Sequence, residues 1–266
     1  MQAEGKGCRK EGLNPSIISQ MFRVGKVGYS NTLPLFYSLR GFELVEGHPS
    51  ELVKKLRAGE IEAGIVSSAE YFFNPEEYFV LPKVSISSRG RVCSVLLLSK
   101  KPIEELRSVK ITPSSLTSRY LLRYITKEIY GAEPQEVVEG EEGLLLIGDE
   151  ALSLKERYEF SYDLGEEWFK HTGLPFVFAL FLVRKDAPKG RVCELHRGVK
   201  KSLEDFFSAL HEDRLDLPGE FLREYFLNCI DYALGEEHME SMGRFFSFME
   251  KETGKPAPET ISLFPL

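Results

Sequence analysis

The feature that most constrains this chain is a junction it uses five times: a short apolar run, then Ser, Thr, Asn or Asp, then helical periodicity. The first instance is Val27-Gly28-Tyr29-Ser30-Asn31-Thr32-Leu33-Pro34. Arg23 to Val27 alternates as a strand does. Asn31 or Thr32 then stands at a helix N-cap, and Pro34 falls in the first turn, where a missing N–H is tolerated. Leu33, Leu35, Phe36, Tyr37 and Leu39 supply the apolar face before Arg40-Gly41 ends the helix. Repeated strand–turn–helix units build α/β sheets. Their ligands bind beyond the carboxyl ends of the strands, where free N–H groups at helix starts favour a carboxylate or phosphate. An ordinary capped turn has the same local pattern, so a functional reading depends on the other junctions agreeing.

They do agree. After a helix over Pro49 to Leu56, Ile61 to Val66 reads as a strand delivering Ser67-Ser68-Ala69-Glu70-Tyr71. Phe79 to Ile86 leads to Ser87-Ser88-Arg89-Gly90, and Val92 to Ser99 is a strand that closes the first block before Lys100-Lys101-Pro102. In a second block, Val109 to Ile111 runs into Thr112-Pro113-Ser114-Ser115-Leu116-Thr117-Ser118 and a helix ended by Gly131. Leu144 to Ile147 ends in Gly148-Asp149, Tyr162 to Gly165 opens a helix carrying Trp168, and Thr172-Gly173-Leu174-Pro175 precedes the strand Phe176 to Arg184. Three helices finish the chain, and their Phe-rich stripe at 245, 246 and 248 has core spacing.

Two α/β blocks joined near residues 100–108 and 183–187 give two lobes with a ligand cleft between them. That is a periplasmic-binding-protein-like (type II) fold with C-terminal helices. Residues 21–104 with 184–266 are expected to form lobe 1 and residues 105–183 lobe 2. Residues 1–20, with three glycines, three basic residues and no apolar core, are expected to be a flexible extension rather than a secretory signal.

The 266 residues carry 34 basic and 41 acidic side chains, a net charge of -7, with no long basic run. This argues against nucleic acid or an anionic membrane as partner, and no run is long enough for a membrane span. Cys8, Cys93, Cys193 and Cys229 are scattered without a CxxC, so reduced thiols in the cytoplasm are expected. There is no GxSxG, P-loop, GxGxxG after a strand or HExxH. His171 reads as a solvated helix end. What the cleft offers is hydroxyls, an amide, helix starts, Arg89 and Asp149, equipment for a carboxylated, hydroxylated small molecule without metal or cofactor.

VGYSNTLP, IVSSAEY, SISSRGRVCSVLLLS, TPSSLTS, LLIGDEAL, YDLGEEW and TGLPFVFA occur in that order. Together, over residues 21 to 255, they resemble the chorismate dehydratases of the futalosine route to menaquinone. The related cyclic dehypoxanthinylfutalosine synthase is a second reading, and a non-catalytic small-carboxylate binding protein a third. The resemblance implies a hydro-lyase that converts chorismate to 3-[(1-carboxyvinyl)oxy]benzoate and water. It implies catalytic roles for Asn31, Ser87 and Ser88. Ser30, Thr32, Ser67, Ser68, Arg89, Ser114, Ser115, Thr117 and Asp149 would bind the substrate, with Gly173, Leu174 and Pro175 as an apolar wall. Glu70 and Asp149 are the carboxylates available as a base, each also explained as a helix-start charge. The substrate's own enolpyruvyl carboxylate is the alternative. The reading requires Asn31, Ser87 and Ser114 to share one pocket.

Overall fold

In the computed structural model, residues 21–111, 116–154, 158–217 and 220–266 are described, without the side chains of residues 152–154 and 220. The expected extension 1–20 and the residues Ser114 and Ser115 lie outside that set.

Two five-stranded sheets carry the chain. The first contains β1 (Arg23–Val27), β2 (Glu43–Gly47), β3 (Ala63–Ser67), β4 (Tyr78–Ser88) and β10 (Phe176–Arg184), in the order β2-β1-β3-β10-β4. The second contains β5 (Val95–Ser99), β6 (Ser108–Ile111), β7 (Gln135–Val137), β8 (Gly143–Ile147) and β9 (Phe160–Asp163), in the order β7-β6-β8-β5-β9. In each sheet three strands run parallel, and the fourth is antiparallel to both its neighbours. That fourth strand, β10 or β5, is the one by which the chain arrives from the other lobe.

Both crossings therefore differ from expectation. Val95–Ser99 belongs to the second sheet rather than closing the first, and Phe176–Arg184 belongs to the first. The chain crosses at 89–94 and again at 164–175, not near 100–108 and 183–187. The reason is physical: β5 is buried along its whole length, so its composition suits the middle of either sheet. Lys100-Lys101-Pro102 is only an exposed turn.

The sheets are covered by α1 (Leu33–Phe36), α2 (Pro49–Arg57), α3 (Ser68–Phe73), α4 (Leu116–Tyr124), α5 (Asp149–Leu154), α6 (Leu164–Thr172), α7 (Lys189–His211), α8 (Glu220–Asn228) and α9 (Glu236–Thr253). Asp163 caps α6 by accepting from the N–H groups of Gly165 and Glu166, and Gly173 ends it at φ +73. No helix among the described residues is long and apolar enough to cross a membrane.

The last helix ties the lobes together from behind. Phe245 of α9 meets Trp168 and Phe176, Phe246 meets Phe72, and Phe248 meets Tyr124, with centroids 4.9 to 6.0 Å apart. The stripe at 245, 246 and 248 is core, as its spacing predicts. The reduced-thiol expectation is corrected: Cys93 and Cys229 form a disulfide. They are 136 residues apart, and only the packing of α8 over the 89–94 crossing brings their Cα atoms to 5.8 Å. Phe245→Ala is expected to destabilise the protein by about 3–5 kcal/mol, through lost burial and an unfilled cavity. Urea unfolding measures this, and a loss under about 1 kcal/mol would show that α9 is not part of the common core.

Candidate active site

The Ser30-Asn31-Thr32 turn is built by its own third residue. Thr32 is buried, and its hydroxyl donates back toward the carbonyls of Val27, at 2.8 Å, and Tyr29, at 2.9 Å. The hydroxyl does not cap α1; it closes a 3-10 turn over Ser30–Thr32. From behind, the Tyr232 hydroxyl donates to the Asn31 carbonyl at 2.7 Å. The turn is thus fixed at both ends, and the Asn31 side chain lines the gap between the lobes.

That gap encloses about 590 Å³ when its open mouth is counted, of which about 70 Å³ is free cavity. Its apolar wall comes from Ile65, Ile86 and Phe178 on one sheet and Val95 and Ile147 on the other. Its polar groups include Asn31, Ser67, Ser94 and Ser118. Tyr29 closes one side, its ring against Gly148, where a Cβ would lie 3.0 Å from the ring. Gly148 is also at φ +72, so the close approach and the backbone both require glycine there. Among the described residues, one buried side-chain polar atom has no hydrogen-bond partner: Asn31 Oδ1. A buried acceptor left alone costs about 1–3 kcal/mol.

Other expected site residues are already engaged. Ser67 and Ser68 of the first lobe meet Thr117 of the second. The Thr117 hydroxyl bonds both serine hydroxyls and accepts from the N–H of Ala69 at 3.0 Å. Ser68 also donates to the Val177 carbonyl. The three hydroxyls do come from opposite lobes, but they latch the lobes to one another, and of the three only Ser67 lines the cavity. Ser87 is fully buried, bonded to the Ser85 hydroxyl and paired through its backbone with Asp231. It does not line the cavity, so the requirement that Asn31 and Ser87 share one pocket fails, and the functional reading rests on family membership rather than on that shared pocket. Ser88 donates to the Gly90 carbonyl and packs against Gly165, where a Cβ would sit 2.4 Å from its Oγ.

Arg89 pairs with Glu237 on the surface, in a groove beside Asp231, and Asp149 is exposed at the start of α5. Gly173 is exposed, Leu174 half-buried and Pro175 buried in the turn after α6; Phe178 and Ala179 stand in the cleft instead. Ser30 is half-buried beside Asn31. His171 is exposed against the Tyr124 ring, a solvated helix end as read. Glu70 is buried and saturated: it accepts from Arg57 twice, from Asn74 and from Tyr78. A carboxylate so committed is a structural ion pair and not a free base.

Sequence reasoning missed Tyr29, Ser94, Ser118, Tyr225 and Tyr232. Ser94 sits inside one of the seven quoted segments, but nothing distinguished it from its neighbours. Tyr225 and Tyr232 fall in or after helices whose apolar spacing hides a polar tip. Burial pushes the Tyr225 phenol up, and it pushes Tyr232 up as well. Among the described residues no group of three His, Cys, Asp or Glu side chains is placed to hold a metal.

Two lobes closing on a polar-tipped apolar cleft define a ligand-binding α/β protein. The solved structures agree on the fold. The Candida albicans CA3427 gene product, described as having the generic periplasmic binding protein structural fold, matches with TM-score 0.59 at 11% identity, over 92% of this chain and 98% of that one. The chain belongs to the menaquinone biosynthesis family, whose model matches residues 22–251. Curated relatives narrow this further. Chorismate dehydratase of Thermus thermophilus is 34% identical over 192 residues, 62% of this chain and 70% of the relative. Chorismate dehydratase of Campylobacter jejuni is 28% identical over 233 residues, 83% of this chain and 94% of the relative.

Thr117→Val keeps the shape of the latch and deletes its hydroxyl, leaving Ala69 N–H and the serine hydroxyls short of a partner. A stability loss of about 1–3 kcal/mol is expected by chemical denaturation. An unchanged midpoint would mean that water replaces the latch without cost.

Proposed function

We propose that this protein is a chorismate dehydratase, a hydro-lyase that converts chorismate to 3-[(1-carboxyvinyl)oxy]benzoate and water for menaquinone biosynthesis. The observation that carries the reading within the family is Asn31, which lines the interlobe cleft and whose Oδ1 has no partner. An amide oxygen accepts hydrogen bonds and repels carboxylates, so it suits a hydroxyl of the ligand, and chorismate carries one at C4. The proposal extends to the futalosine route and to a cytoplasmic location. Both rest on the sequence resemblance alone.

The chemistry asks little of the protein as acid or base. The C3 proton of chorismate is acidified through the adjacent ring double bond by the C1 carboxylate. Its departure leaves an electron pair that expels the C4 hydroxyl and makes the ring aromatic. The enolpyruvyl carboxylate, attached at C3, takes the proton and returns it to the leaving hydroxide as water forms. Such a substrate-assisted path fits a cleft whose described lining residues include no carboxylate. The protein's work is to hold the C4–O bond across the ring plane and to exclude water. Asn31 does the first and the apolar wall the second.

Purified protein incubated with chorismate is expected to form the aromatic acid. Binding without product would favour a solute-binding role, and activity on the purine-derived nucleoside intermediate would favour the related cyclase. Asn31→Asp puts a charge where the substrate is dianionic, and turnover is expected to fall about a hundredfold. Full turnover by that variant would remove Asn31 from the mechanism.

A further inference from the structure

The cleft in this structure is shut. Its free cavity of about 70 Å³ is far below the roughly 300 Å³ at which small-ligand pockets begin, so a ligand enters only if the lobes part. The bonds that resist parting differ in kind. The latch of Ser67, Ser68 and Thr117 is made of hydroxyl bonds, which exchange for bonds to water as the lobes separate. The Cys93–Cys229 disulfide has no such exchange, and it lies across the crossing at 89–94.

Both ends of that bridge are anchored, and in different lobes. On the Cys93 side, the N–H groups of Val92 and Cys93 donate to the carboxylate of Asp163, at 3.0 and 2.7 Å, where β9 ends. The carbonyl of the next residue, Ser94, accepts from the N–H of Gly148 at 2.7 Å. Asp163 and Gly148 both belong to the second lobe. On the Cys229 side, Asp231 exchanges two backbone hydrogen bonds of 2.8 Å with Ser87 of β4, in the first lobe. Ser87 to Cys93 and Cys229 to Asp231 thus form a small ring, closed at one end by the disulfide and at the other by that backbone pair. The crossing that must flex for the lobes to part is cyclised. Cys93 itself sits at φ +64, a left-handed conformation that is costly for a residue other than glycine and persists where the surroundings over-determine it.

The bridge is also open to reductant. Cys93 and Cys229 are each half-buried, and Cys229 lines an outer groove that shares no residue with the cleft. A dithiol can reach the sulfurs there while the lobes are closed. Its thiolate attacks one sulfur to form a mixed disulfide, and its second thiol then closes the reductant's own disulfide. Two electrons and two protons pass to the protein, leaving Cys93 and Cys229 as thiols.

We propose that the Cys93–Cys229 disulfide is a redox-controlled clamp: oxidised, it holds the lobes shut against ligand, and reduced by a dithiol, it frees the crossing to open. Its effect on turnover rests on the dehydratase reading; its effect on lobe opening does not. The competing view is a static staple that only adds stability.

Full-length wild type is compared before and after reduction by a dithiol, alongside Cys93→Ser/Cys229→Ser, which keeps the remaining cysteines. The readouts are the radius of gyration of ligand-free protein by solution scattering, kcat/KM for chorismate, and the unfolding midpoint. The first two are taken well below the lowest midpoint, so that opening is not confused with unfolding. We expect reduction to enlarge the radius and to raise kcat/KM at least about fivefold. The double variant is expected to match reduced wild type in both and to ignore the dithiol. A radius unchanged by reduction overturns the clamp, and so does a gain in kcat/KM below about fivefold. A double variant that still responds to dithiol overturns it too, because the effect would then lie at another cysteine. A static staple lowers the midpoint and moves neither of the other readouts. Reduced wild type that opens but forms no aromatic product overturns the dehydratase reading and leaves the clamp standing.

Discussion

Everything in the cleft follows from one requirement: a polar group removed from water must find another partner. The strand-to-helix junctions deliver many short hydroxyl side chains to the facing edges of two lobes, and most of them meet each other or nearby carbonyls. Thr32 closes its own turn, Ser88 bonds Gly90, and Ser67, Ser68 and Thr117 form a knot across the gap. These are structural bonds. Each contributes on the order of 1 kcal/mol when made and costs more when broken. Against that saturated background one unpaired amide oxygen becomes informative.

This distribution also separates scaffold from chemistry in a way that residue type does not. Glu70 resembles a general base by burial and by its place after a strand, yet four donor contacts from three side chains hold it in an ion-pair network. Asn31 is a weaker functional group with a freer atom. In a reaction driven by aromatisation, with a proton acceptor inside the substrate, orientation outweighs acid–base strength. A site of this kind is recognised by what its groups leave unmet.

The architecture was legible because period and punctuation recur: apolar run, small polar residue, helix, glycine. Asp163 at an N-cap and Gly173 at a C-cap could be placed from their neighbours alone. Which sheet a strand joins could not. β5 and β10 are buried almost throughout and carry no alternation to show which face or neighbour they take. At the site, Asn31 was legible because it opens a junction. Ser87, from the same kind of junction, turns into the body of its lobe against Ser85 and Asp231. Tyr225 and Tyr232 were illegible because an amphipathic helix face conceals a phenol whose ring packs like phenylalanine. The Cys93–Cys229 bridge shows the same limit: it depends on a tertiary approach that no spacing encodes. It also withdraws scattered cysteines as an argument for a reducing compartment.

The unpaired oxygen has a consequence for the direction of traffic through the cleft. With Asn31 in its proposed role, substrate brings a hydroxyl hydrogen to it and relieves a desolvated acceptor of its cost. Dehydration removes that same hydroxyl, since C4 of the product carries only hydrogen. The acceptor is orphaned again while both carboxylates and most of the ring contact remain. A site built to hydrogen-bond a hydroxyl discriminates strongly against a ligand lacking it, so the reaction weakens its own product's hold. Competition of 3-[(1-carboxyvinyl)oxy]benzoate against chorismate reads that asymmetry directly, and equal affinity for the two acids would contradict it. In that proposal one amide serves both alignment and release.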